Sequence, residues 1–148
     1  VISAQDMYDA VTEEAKNSDI IIKAAAVADY TPLNVSDNKI KKKDGDMSIA
    51  LKRTKDIIGT LGEHKKEGQF ICGFSMETEN VIANSKDKLI KKNMDMIVAN
   101  NVKVAGAGFG TDTNVVTIIT GEDNIELPMM SKEDVASKIL DFIMAKRR

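Results

Sequence analysis

Apolar residues recur along this chain in two rhythms, one of helical period and one suited to strands. Met7, Val11 and Ala15 follow at intervals of four behind Ser3-Ala4-Gln5-Asp6, which has the form of a capping box, so the chain is expected to open on a helix. Asp19 to Ala28 is a near-continuous apolar run and predicts a buried strand. Thr31 to Gly45, with Pro32, Asn34, Ser36, Asp37 and Asn38, predicts an extended loop or flap. Met47-Ser48-Ile49-Ala50-Leu51 alternates with period two and predicts an edge strand. Thr54 is placed to cap a helix that carries Ile57, Ile58 and Leu61 and ends near Gly68.

The same alternation repeats further on. Gln69 to Phe74 predicts a short buried strand, and a helix from about Glu79 to Lys92 turns Val81, Ile82, Leu89 and Ile90 inward. Met94 to Val98 predicts the next strand, ending in Ala99-Asn100-Asn101. A glycine-rich loop at Gly106 to Gly110 leads to a strand at Val115 to Ile119, a turn at Gly121 to Asn124 and a strand-like Ile125-Glu126-Leu127. Ser131-Lys132-Glu133-Asp134 caps a last helix with Val135, Ile139, Phe142 and Ile143 facing in. Helices interleaved with strands predict an α/β fold with a mostly parallel central sheet. Ligands of such sheets bind beyond the carboxyl ends of the strands, which favours Ala24 to Asp29, Phe74 to Thr78 and Ala99 to Asn101.

Composition narrows the class of function. A chain of 148 residues is expected to form one domain, with 43% apolar and 30% charged residues, the balance of a soluble globular protein. A net charge of −2 gives no bulk attraction to nucleic acid or to an acidic membrane, so any phosphate affinity must come from a local patch. The apolar runs are too short to span a bilayer. One cysteine and one histidine exclude an intramolecular disulfide and argue against a structural zinc site. A cytoplasmic setting is expected. Because a parallel α/β domain more often opens with a strand, a piece upstream of Val1 is also expected.

Chemistry concentrates at the first strand end. Small residues at Ala24 to Ala28 let a ligand approach the backbone, Asp29 can accept hydrogen bonds from a sugar, and Lys39, Lys41, Lys42 and Lys43 can meet phosphates. Packing alanines and a solvated lysine turn explain the same residues. Lys88 and Lys92 share a helix face, with Lys91 beside them, and suit a triphosphate or simply water. Phe74 is either a base-stacking ring or core. Glu77 is a metal-side carboxylate or a favourable charge at a helix start. Gly106-Ala107-Gly108-Phe109-Gly110 tempts a dinucleotide reading, that of a reductase, but leads into a strand where that fingerprint needs a helix. His64 reads as a surface residue and Cys72 as a buried hydrophobe.

Taken in order, AAVADY at Ala25 to Tyr30, KIKK at Lys39 to Lys42, GFSMET at Gly73 to Thr78, KLIKKNMDMIVANNV at Lys88 to Val102 and GFGTDTN at Gly108 to Asn114 resemble phosphopantothenoylcysteine synthetase of the CTP-dependent bacterial type. The resemblance spans essentially the whole chain and implies a Rossmann-like three-layer fold. It implies that the backbone at Lys23, Ala24 and Ala25 contacts cytosine and that Asp29 holds the ribose. Lys39 reaches the phosphates and the reacting centre, and Lys55, Asp56, Ile57 and Ile58 add backbone contacts at a helix start. Phe74 completes the pocket, and Lys88 and Lys92 grip the triphosphate. Lys55 stands where bacterial relatives commonly have proline.

The activity so implied joins 4′-phosphopantothenate to cysteine through an acyl-cytidylate, with CTP as nucleotide and Mg²⁺ as its ion; the metal ligands are not assigned. The resemblance also implies a homodimer, for which Met47 to Leu51 is a candidate pairing strand, and allows an FMN-dependent decarboxylase domain upstream. The family carries an upstream first strand, a glycine-rich loop and an asparagine that handles the acyl-cytidylate. Nothing resembling them precedes Val1, so residues 1–148 are expected to be an N-terminally incomplete synthetase domain. A CTP-binding fragment without turnover is therefore the alternative expectation.

Overall fold

The architecture comes from a computed structural model that describes residues 1–42, 44–76, 80–101, 104, 106–108 and 110–147. Helix α1 (Ala4–Glu14) starts on the expected box: the Ser3 hydroxyl accepts from the Asp6 N–H, and the Asp6 carboxylate accepts from the Ser3 N–H. Strand β1 (Ile20–Lys23) follows, then β2 (Tyr30–Pro32), β3 (Leu51–Arg53), α2 (Ile57–Glu63) and β4 (Phe70–Met76). Helix α3 (Val81–Lys91), β5 (Met96–Asn100), β6 (Thr113–Asn114), β7 (Val116–Ile119), β8 (Asn124–Glu126), β9 (Met130–Ser131) and α4 (Lys132–Lys146) complete the order.

The central sheet runs β1-β4-β5-β7-β8. Strands β1, β4 and β5 are parallel, with Ile21 opposite Ile71 and Gly73 opposite Ile97, and β7 and β8 add antiparallel. Alternation along β4 serves two cores. Phe70 and Cys72 pack with Met96, Val98, Val116 and Ile118 under Val135, Ile139 and Ile143 of α4. On the other face Ile71 and Ile97 pack with Ile57, Ile58 and Leu61 of α2, Leu89 of α3 and Met94. Each such fully buried side chain stabilises the fold by about 1.5–3 kcal/mol. Helices on both faces of a mixed sheet, with its first three strands parallel, realise the expected α/β fold.

Several expectations are corrected. The run Asp19 to Ala28 forms a strand only over Ile20–Lys23, because β1 stands at the sheet edge, and Ala24, Ala25 and Ala26 leave it exposed. Residues 47–50 form no strand. The β3 ladder starts at Leu51 and pairs antiparallel with β2 in a separate ribbon, which the Leu33 N–H extends to the Ala50 carbonyl. Asp56, not Thr54, caps α2, its carboxylate accepting from the Gly59 N–H at 3.1 Å. That helix stops at Glu63, and Gly68 instead takes a turn with φ +77°. In α3 the buried residues are Ser85 and Leu89. Ile90, one position on and about 100° around the helix, is 74% exposed, and Ile82 is also exposed. The start of the Glu79–Lys92 prediction, together with Lys43, Glu77, Thr78, Val102 and Phe109, lies outside the described residues.

Candidate functional site

A cleft opens at the carboxyl ends of β1 and β4, between the segment 27–29, the start of α2 and the last turn of α3. Val27, Ile58, Met94 and Ile97 give it an apolar lining, and Lys23 at the end of β1 and Lys88 and Lys92 at the end of α3 reach its wall. Asp29, Lys55, Asp56, Ile57 and Phe74 line it too. Residues as far apart in sequence as Lys23 and Ile97 thus converge where an α/β sheet leaves strand ends open for ligands.

Short-range chemistry orders this wall. The Lys92 ammonium donates to one oxygen of Asp56 at 3.2 Å and pairs with the other at 2.9 Å. Partial burial works to raise the Asp56 carboxyl, but the hydrogen bonds from Lys92 and the Gly59 N–H and the charges of Lys92 and Lys23 outweigh it. The carboxyl is held below its ordinary range. Lys23 donates to the Ala25 carbonyl at 3.0 Å. Burial, reinforced by the Lys92 charge, pushes its ammonium below the usual lysine range, against the opposing pull of Asp56 and Asp29. The N–H groups of Ile57 and Ile58 lie in the first turn of α2, where no preceding helical carbonyl can take them.

The remaining predicted residues are placed differently. The Lys55 ammonium sits 4.3 Å from the centroid of the Tyr8 ring, so what it offers the cleft is backbone. Ala25 is exposed, and Ala24 lines a second, apolar cleft with Asn100, Asn114, Val135 and Ile139. Phe74 borders both clefts while packing partly against the α4 core, so core and wall are one role for this ring. Lys39 is exposed in the loop between β2 and β3 and is not among the residues that line the cleft. No group of three or more acidic, cysteine or histidine side chains among the described residues is arranged to hold a metal ion. Burial, with the Asp95 charge behind it, pushes the Cys72 thiol up to about 12, which fits an inert core residue.

The supporting roles of Thr54, Gly62, Asn93, Ser75 and Ser85 escaped the sequence. The Thr54 hydroxyl donates to the Ala28 carbonyl at 2.7 Å and its N–H to the Asp29 carbonyl at 2.9 Å, strapping the Asp29 segment in place. A side chain added at Gly62 would fall 1.9 Å from the Lys92 carbonyl, and Asn93 donates to the Gly62 carbonyl at 2.9 Å. Gly62 thereby sets the approach of α2 to the Lys92 backbone. The Ser75 and Ser85 hydroxyls, 3.0 Å apart and buried, tie β4 to the helix that carries both lysines. Each contact links residues far apart in sequence, and nothing local announces them.

Fold and cleft together define an α/β domain with an open cleft at the carboxyl ends of its parallel strands. The chain belongs to the DNA/pantothenate metabolism flavoprotein C-terminal domain family, whose model matches residues 1–146. It is 53% identical over 146 residues to the coenzyme A biosynthesis bifunctional protein CoaBC of Bacillus subtilis (strain 168), covering 98% of this chain and 36% of that protein. A crystal structure of the C-terminal domain of a CoaBC protein matches with a TM-score of 0.77 at 45% identity, over 99% of this chain and 65% of that one. A mutant of Cab2 solved with phosphopantothenate-cysteine shares the fold, with a TM-score of 0.74 at 18% identity, over 97% of this chain and 50% of that one. The chain therefore spans only about a third of the curated relative's length.

Proposed function

We propose that the cleft binds CTP and that the chain serves a phosphopantothenate–cysteine ligase of coenzyme A biosynthesis. The observation that carries this reading is the convergence of Lys23, Lys88 and Lys92 on one cleft with Asp29 and Phe74. Membership of the family, the CoaBC name of the Bacillus relative and the ligand of the Cab2 structure support it.

In this reading the carboxylate of 4′-phosphopantothenate attacks the α-phosphorus of CTP. The bond to the bridging oxygen breaks, pyrophosphate leaves with the electron pair, and an acyl-cytidylate remains. The cysteine amine then attacks the acyl carbon, forms the amide, loses its proton and expels CMP. The residues supply position and charge rather than a covalent nucleophile, as phosphoryl transfer requires. Lys88 and Lys92 take the β- and γ-phosphates, the α2 start adds N–H donors, Asp29 takes the ribose, and Lys39 comes from the exposed loop to the reacting centre. A Mg²⁺ ion bound with the triphosphate would supply further charge neutralisation, and no residue of the chain is assigned to hold it.

The loop carrying Lys39 also carries Leu33, Val35, Ile40, Met47 and Ile49, all at least half exposed. This apolar surface supports a homodimer, for which the solution mass is the test.

Pyrophosphate release from CTP in the presence of 4′-phosphopantothenate and cysteine tests the function. Lys39→Ala should abolish it while leaving the unfolding curve unchanged, and undiminished turnover would remove Lys39 from the chemistry. The short span relative to CoaBC favours one second reading, nucleotide binding without turnover by the chain alone. In that case CTP raises the melting temperature by mass action and no pyrophosphate appears.

A further inference from the structure

The lysine that the proposed function assigns to phosphate already holds an anion. Lys92 spans both oxygens of Asp56, at 2.9 and 3.2 Å, and the same carboxylate caps α2 through the Gly59 N–H at 3.1 Å. Asp56 is more than half exposed along its side chain and lines the cleft beside Lys23 and Lys88. A carboxylate on a lysine presents two anionic oxygens, much as a phosphate does. It also places a negative charge where a polyphosphate must come to rest.

We propose that Asp56 is a positioning residue that acts as a resident surrogate for phosphate: it holds Lys92 in the cleft until a polyphosphate exchanges for it. This rests on the nucleotide reading of the cleft. The exchange breaks one ion pair and forms another, with no covalent change and no additional reactant. Two consequences follow from charge alone. Asp56 opposes the binding of every polyphosphate at Lys92, and by competing for that lysine it speeds the departure of pyrophosphate. The rest of the cap is untouched by the exchange, because the Gly59 N–H needs only one carboxylate oxygen.

Asp56→Asn is the informative variant, since asparagine caps a helix as well as aspartate does. Inorganic pyrophosphate and CTP are titrated calorimetrically into the wild-type chain, Asp56→Asn, Lys92→Met and the double variant. The expected result is pyrophosphate binding about three- to tenfold tighter in Asp56→Asn, with slower release by stopped flow and cooperative unfolding retained. The gain should vanish when Lys92 is already methionine, which a merely structural role for Asp56 would not produce. Equal or weaker pyrophosphate binding by a folded Asp56→Asn would overturn the inference, as would an equal gain in the Lys92→Met background. If the wild-type chain binds neither CTP nor pyrophosphate, the reading of the cleft fails first, and the two failures are thereby distinguished.

Discussion

The strands β4, β5 and β7 and the segment from Ala24 to Arg53 both carry apolar residues and do opposite things with them. In the first, Ile71, Cys72, Met96, Val98, Val116 and Ile119 are fully buried between helices. In the second, no described residue is buried, and Val35, Ile40, Met47, Ile49 and Leu51 face outward at 81, 63, 67, 62 and 56% exposure. The packed strands hold the fold, and the outward segment keeps its apolar and cationic side chains available for something else. The cleft lies on the seam: Phe74 and Ile97 reach it from the packed side, Val27 and Asp29 from the open side.

The sharpest break of this comparison comes from truncating the same kind of side chain on each side. Ile71→Ala should cost about 2–5 kcal/mol in chemical denaturation. Gly62→Ala comes next, at about 3 kcal/mol, because its new carbon would overlap the Lys92 carbonyl backbone. It should also weaken CTP binding through the displaced lysine. Lys88→Met and Lys92→Met should each lower CTP affinity about tenfold or more, from lost hydrogen bonds to charged oxygens, while unfolding moves little because exposed ion pairs stabilise weakly. Val35→Ala should shift unfolding by no more than about 0.5 kcal/mol. A core-sized loss there in dilute monomer would show that the open segment is part of the scaffold.

The smallest effect is in pH. The folded-state pKa of Asp56 lies below its ordinary 3.8, so its contribution is present above that value and is lost as pH falls through the folded value. Asp56→Asn should flatten that acid limb. For Lys23 the folded-state pKa lies below the ordinary 10.5, so the unfolded chain binds more protons in the window between the two. Stability attributable to Lys23 therefore rises as pH climbs through that window, and Lys23→Met should remove the rise.

The packed half was legible because its signals are local. Ser3 and Ser131 cap their helices as their spacing predicts, and the continuous runs at Phe70–Gly73 and Met96–Ala99 are buried on both faces. The open half was misread because burial there depends on neighbours, not on the run itself. Ile20-Ile21-Ile22 has the composition of a central strand yet stands at an edge, and the alternation at 47–50 finds no ladder beyond the Ala50 carbonyl. Thr54 looked like a cap because its hydroxyl is a good acceptor near a helix start. The structure spends that hydroxyl as a donor to Ala28, twenty-six residues away, and leaves the cap to Asp56.

At the site, Lys23, Asp29, Asp56, Phe74, Lys88 and Lys92 were legible through motif order and meet in one cleft. Lys39 was legible only as chemistry, since an exposed loop position does not reveal where its side chain goes when a ligand is bound.

The central claim, that this cleft receives the triphosphate of CTP, is tested most directly by calorimetric titration of CTP and ATP into the chain and into a Lys88→Met/Lys92→Met double variant. The account predicts saturable CTP binding, clearly weaker binding of ATP, and loss of CTP binding in a double variant that still unfolds cooperatively. CTP binding of equal strength with both lysines removed, or no binding to the wild-type chain, would contradict it.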